Sequence, residues 1–113
     1  MANSTIEYDD RGSMVYLGHT DSTTPVDMTL ASQHKLSEFR YLVVCMVHSY
    51  DLQVQAYSMI PVMFIYSFKD FPTTVLNTYI DKRYYVLAKY KSDTQITLCS
   101  SDSGYQARIY GVK

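Results

Sequence analysis

Apolar and polar residues alternate in short runs along most of this chain, and the runs are separated by turn-forming residues. The clearest run is Tyr41–His48, in which both alternating sets of side chains are apolar. A strand of this kind is covered on both faces. The pattern therefore predicts a strand at the centre of a sandwich or against another subunit.

The other runs predict further short strands on either side of this one. Residues 54–65 form a second apolar stretch, but Pro61 interrupts it and cannot donate a ladder hydrogen bond, which indicates an edge strand, a bulge or a break. From residue 73 the runs come about ten residues apart, as in an antiparallel meander. The remaining predicted strands are residues 14–17, 27–30, 73–80, 84–90, 94–99 and 105–113.

Seven to eight short strands in one chain of this length indicate an all-β fold. Val, Ile, Thr, Tyr and Phe, which suit a pleated surface, supply 42 of the 113 residues. We therefore predict an antiparallel β-sandwich, jelly-roll-like, as a single domain over residues 14–113. Residues 1–13 have no apolar periodicity and are predicted to be a flexible N-terminal tail.

Charge and hydropathy exclude two classes of partner. Ten Lys and Arg balance eleven Asp and Glu, so the net charge of −1 provides no positive field for a nucleic acid. The longest apolar run, residues 41–47, is about a third of the roughly 20 residues that a membrane helix needs. We expect a soluble protein without nucleic-acid binding, membrane insertion or a secretory signal.

Residues with catalytic or metal-binding chemistry form no recognisable motif. Cys45 and Cys99 both fall inside predicted strands, which favours free thiols over a single disulfide. The histidines are isolated, and no nucleophile elbow, P-loop or dinucleotide fingerprint is present. We therefore expect no enzyme activity, no metal site and no cofactor.

Tyrosine is the unusual feature of the composition, with 12 Tyr and no Trp. A tyrosine combines an apolar ring with a hydroxyl, so it suits the core, a subunit contact or the stacking of a sugar ring. Loops held by a rigid sandwich are a common place for binding residues. The turn over residues 81–85 is the first choice for a ligand site, and the candidates are Tyr50 with Asp51, Tyr79 with Asp81, and Arg83 with Tyr85.

Several short stretches resemble one class of protein. Residues 57–62 read YSMIPV, residues 91–98 read KSDTQITL, and the chain closes on RIYGVK at residues 108–113. Together with the lead-in LSEFRYL at residues 36–42, they resemble the C-terminal β-sandwich heads of phage and prophage tail-fibre, or receptor-binding, proteins. The resemblance spans residues 36–113.

This resemblance implies a homotrimeric, non-enzymatic head that recognises a glycan on a bacterial surface. It also implies a place in the virion, or in a prophage-encoded tail particle, after synthesis in the bacterial cytoplasm. Two other interpretations stay open at this point. One is a structural virion or baseplate assembly protein, and the other is a bacterial carbohydrate-binding or adhesin module of similar shape.

Overall fold

Eight antiparallel strands build the computed structural model of this chain, which describes residues 14–113. Within that range, no helix has the length and apolar character needed to cross a membrane. The predicted all-β sandwich is confirmed. The strands are β1 (Met14–Thr20), β2 (Val26–Thr29), β3 (Tyr41–His48), β4 (Val54–Pro61), β5 (Thr73–Tyr79), β6 (Lys82–Ser92), β7 (Gln95–Ser100) and β8 (Tyr105–Val112).

The strands divide equally between two sheets. The first sheet has the order β1-β8-β3-β4 and the second has the order β2-β7-β6-β5. The predicted meander holds for β5, β6 and β7, whereas β8 crosses to the first sheet and lies between β1 and β3. The predicted tail over residues 1–13 lies outside the described residues.

Strand β3 is buried on both faces, as its sequence predicts. Leu42 and Met46 are fully buried in the core between the sheets. Val43 and Val47 point the other way and form a second buried cluster with Val112. The first sheet therefore has an apolar outer surface as well as an apolar inner one.

The predicted alternation along the last three strands is also confirmed. Val86 and Ala88 of β6, Ile96 and Leu98 of β7, and Ile109 of β8 all face the core and are buried. Apolar side chains at every second position of both sheets therefore form a single core layer between the sheets.

Pro61 ends strand β4, which is an edge strand of the first sheet, as predicted. The apolar stretch over residues 54–65 does not continue as strand beyond Pro61, which is the break that this proline indicated. The chain instead forms a short helix, α1 (Val62–Ile65), and a 3₁₀ turn over Tyr66–Lys69. Helical spacing explains the difference, because it lets Val62 and Ile65 bury their side chains together in the core.

Two other departures from the predicted boundaries have local causes. Strand β1 continues beyond Gly18, where the register shifts and glycine adopts a φ of 142° that other residues rarely reach. Between β2 and β3, residues 32–39 read SQHKLSEF, which favours a loop or a single turn. The chain forms two 3₁₀ turns there instead, Ala31–Gln33 and Leu36–Glu38. The Glu38 carboxylate accepts a hydrogen bond from the Lys35 backbone N–H at 2.7 Å, which stabilises the second of these turns.

Both cysteines are free and lie on opposite sides of the sandwich. Cys45 points to the outer side of the first sheet and Cys99 to the outer side of the second, so they cannot form a bond with each other. Burial raises the pKa of each thiol above its ordinary value.

We therefore predict slow reaction of both thiols with a disulfide reagent in the native protein at pH 8. The thiolate is the reactive form, so burial and a raised pKa both reduce the rate, by at least about tenfold relative to the unfolded chain. After unfolding in guanidinium chloride, we expect two thiols per chain to react with the reagent, as measured by absorbance. Rapid labelling of one thiol in the native protein would contradict this burial.

Candidate functional site

Four connecting loops meet at one end of the sandwich, which we call the loop end. The Ser49 backbone N–H donates to the Gly104 carbonyl at 2.9 Å, and the Ser49 hydroxyl donates to the Asp21 carboxylate at 3.3 Å. These bonds hold three of the loops together. The four loops are residues 21–25, 49–53, 80–81 and 101–104.

A line of four aromatic rings crosses the loop end, and we call it the aromatic row. Tyr50 stacks on His48 with ring centroids 5.0 Å apart, and His48 lies 5.2 Å from Tyr105. Tyr105 in turn lies 4.9 Å from Tyr84, which belongs to the second sheet. The row therefore joins the two sheets at the loop end.

The register of the strands explains how these rings meet. His48 ends β3 and lies directly opposite Tyr105, the first residue of β8. Tyr84 faces inward from β6 and packs on the edge of the core, as Tyr105 does. A pairing between distant strands and a contact between the sheets are both needed to bring the rings together.

Opposite charges flank the two ends of the row. The Lys82 ammonium lies 5.1 Å from the centre of the Tyr84 ring, within the range of a cation–π contact. At the other end, a carboxylate oxygen of Asp51 lies 3.5 Å from Nδ1 of His48 and accepts the Gln53 backbone N–H. The row thus offers apolar ring faces with hydrogen-bonding groups at each end.

The row also contains a hydroxyl that stays protonated over the physiological range. Burial raises the pKa of Tyr105, and the neighbouring Tyr84 adds to that shift. A neutral phenol both donates and accepts hydrogen bonds, which is the chemistry that recognises hydroxyl-rich ligands.

The structure divides the six predicted site residues among three places, in pairs. Tyr50 and Asp51 lie at the aromatic row, and Tyr79 lies directly opposite Lys82 at the tip of the β5–β6 hairpin, next to Asp81. The other two, Arg83 and Tyr85, are strand residues that point to the outer side of the second sheet, opposite Thr78 and Leu76.

The β5–β6 hairpin closes with a strained tip. Its two turn residues, Ile80 and Asp81, have φ angles of 44° and 61°. Asn-Gly usually fills such a turn, and a β-branched residue with positive φ costs about 1–3 kcal/mol. The turn begins one residue earlier than predicted, because β5 ends at Tyr79, and it is also shorter, because Lys82 and Arg83 already belong to β6.

Sequence reasoning missed His48, Tyr84, Tyr105 and Lys82 as members of the site. The available indication was weak: His48 ends an apolar strand and Tyr105 begins one. Within residues 14–113, no group of three or more metal-binding side chains is present.

The outer side of the first sheet carries a second notable surface. Tyr16, Tyr110, Val43 and Met59 line up across its four strands, and Tyr57 lies beside Met59 on β4; we call this set the apolar face. The side chains of Tyr57 and Met59 are 67% and 52% exposed. The apolar face is therefore open to solvent at the β4 edge in a single chain.

Two polar atoms next to the apolar face lack partners. Among residues 14–113, three buried side-chain atoms have no hydrogen bond: Nε of Arg108, Oε1 of Gln106 and, in the aromatic row, Nδ1 of His48. Arg108 and Gln106 point to the same side of the first sheet as Cys45 and Val47, the residues they pair with. The Arg108 guanidinium also lies 5.1 Å from the centre of the Tyr16 ring, within the range of a cation–π contact.

No family model, curated protein or solved structure matches this chain.

Proposed function

We propose that this chain is a non-enzymatic receptor-binding head of a phage or prophage tail fibre, which recognises a bacterial surface glycan as a homotrimer. The observation that carries the proposal is the aromatic row, with Asp51 and Lys82 at its two ends. The resemblance of residues 36–113 to tail-fibre heads supports the same function.

The chemistry of the row suits a sugar ring. Carbohydrates present C–H faces that stack on aromatic rings, and Tyr50 is 80% exposed at the end of the row. The Asp51 carboxylate and the Lys82 ammonium stand where they can accept from or donate to hydroxyls of such a ligand.

The orientation of the sandwich supports a binding role for this end. Met14 lies opposite Val112 at the other end, which we call the terminal end, so both ends of the described chain are there. A fibre joined to either terminus would leave the loop end free to reach a cell surface.

The apolar face supports assembly with identical chains. A second copy would cover the exposed side chains of Tyr57 and Met59. The same surface also favours the alternative of a structural virion protein, in which association alone is the function.

We predict that Tyr50→Ala lowers glycan affinity at least tenfold, because it removes the most exposed ring of the row. An array of defined bacterial oligosaccharides identifies a ligand, and calorimetry then compares the variants. Tyr85→Ala is the matched control, since Tyr85 is an exposed tyrosine on the outer side of the second sheet.

Unchanged binding by Tyr50→Ala together with weaker binding by Tyr85→Ala would move the site to the outer side of the second sheet. Failure of the native protein to bind any glycan, combined with tight association with another tail protein, would favour the assembly function.

A further inference from the structure

A cleft of about 430 Å³ opens at the terminal end, far from the aromatic row. It lies between the start of β3 and the helical segment after β4, and its walls include Arg40, Tyr41, Met63 and Tyr66. This volume falls within the range of small-molecule sites in proteins, about 300–1,000 Å³.

Tyr66 forms a fixed wall of this cleft. Its hydroxyl donates to the Asp93 carboxylate at 3.4 Å, and its ring packs edge-on against Tyr90 with centroids 5.2 Å apart. Burial raises the pKa of Tyr66, and the nearby Asp93 carboxylate adds to the shift. The ring is therefore held in place before any ligand arrives, which reduces the entropy lost on binding.

The Asp93 carboxylate, which contacts the Tyr66 hydroxyl, also accepts hydrogen bonds from other groups. Besides Tyr66, the Ser37 backbone N–H and the Ser37 hydroxyl donate to this carboxylate at 3.0 and 2.8 Å. Three hydrogen bonds thus stabilise a carboxylate that is not among the residues of the cleft wall.

Arg40 gives the cleft its charge. Among the lining residues in the described range 14–113, it is the one with an ionised side chain. Its backbone N–H donates to the Val112 carbonyl and its carbonyl accepts from the Val62 N–H, both at 2.8 Å. These two bonds fix the residue between the first sheet and α1.

We propose that this cleft binds one carboxylate-bearing sugar unit, with Arg40 pairing the carboxylate and the rings of Tyr41 and Tyr66 lying against the sugar. A guanidinium presents a planar fork of donors that matches a carboxylate with two parallel hydrogen bonds. The aromatic walls suit a ring with C–H faces better than a small inorganic anion. The site is separate from the aromatic row and does not depend on it.

The test is an NMR titration of the ¹⁵N-labelled full chain with methyl glucuronide. Methyl glucoside, which lacks the carboxylate, is the uncharged control. We expect methyl glucuronide to shift the amide signals of Arg40, Tyr41 and Tyr66, and methyl glucoside to bind at least tenfold more weakly. Arg40→Gln is expected to abolish the preference for the acid, and Arg40→Lys, which keeps the charge but loses the fork, to restore it in part.

Control variants separate this site from the loop end. Tyr50→Ala is expected to leave the glucuronide shifts unchanged, so a failure of the proposed function at the aromatic row would not affect this result. Equal binding of the two sugars, shifts located elsewhere, or full retention of binding in Arg40→Gln would overturn the proposal. Competition by inorganic phosphate at the same concentration would show a general anion site and overturn the sugar assignment.

Discussion

Leu42→Ala is expected to lower the free energy of unfolding by about 2–5 kcal/mol. Leu42 is fully buried on the inner side of β3, where it packs in the single core between the two sheets. Truncation removes apolar contact and leaves a cavity that rigid strands cannot close. The free energy of unfolding of a typical domain is about 5–15 kcal/mol, so this one substitution removes a large part of it.

Leu76→Ala is the matched control for this experiment. Leu76 carries the same side chain on β5, but it points to the outer side of the second sheet and is 52% exposed. We expect it to cost less than about 1 kcal/mol. Urea unfolding of both variants at one protein concentration measures the difference, since association would otherwise change the apparent stability. Similar losses for the two variants would contradict the assignment of the inner face.

The strands themselves could be predicted because burial imposes a local pattern. Strand β3 has the predicted bounds, and the inward residues of β6 and β7 follow the predicted alternation. Period-two alternation depends only on which side of a sheet a residue faces, and that property is visible in any short stretch. The order of the strands is different, because it depends on pairing between residues far apart in sequence.

The limits of local pattern are clearest after Pro61 and at Gly18. As apolar residues, Val62 and Ile65 fit either a strand or a helical turn. The chain forms a helical turn because this conformation places both side chains in the core. At Gly18, the sequence gives no indication that the strand continues through a bulge instead of ending.

The candidate site was predictable only in part for the same reason. Tyr50 and Asp51 belong to a turn that is readable from sequence, and they lie at the aromatic row. Tyr84 and Tyr105 join the row through the register of β8 and the contact between sheets, neither of which is a local property. Arg83 and Tyr85 lie close to the β5–β6 turn in sequence, but alternation along β6 points them away from Tyr84.

The largest expected change in assembly comes from Met59→Lys on the apolar face. We expect the native protein to have a mass near three times the 13.0 kDa of one chain, and this variant to have the mass of one chain. A lysine in the middle of an apolar contact either stays solvated and separates the subunits or is buried without a partner at a cost of several kcal/mol. Light scattering with multi-angle detection at micromolar concentration, repeated after tenfold dilution, measures both masses.

Leu76→Lys provides the matched control for Met59→Lys. Leu76 and Met59 are both 52% exposed strand residues, but they lie on the outer sides of different sheets. The new charge on the second sheet is expected to leave the mass unchanged, because association is assigned to the first sheet. Dissociation by Leu76→Lys alone would place the contact on the second sheet. A native monomer at every concentration would remove self-association as the reason for the apolar face.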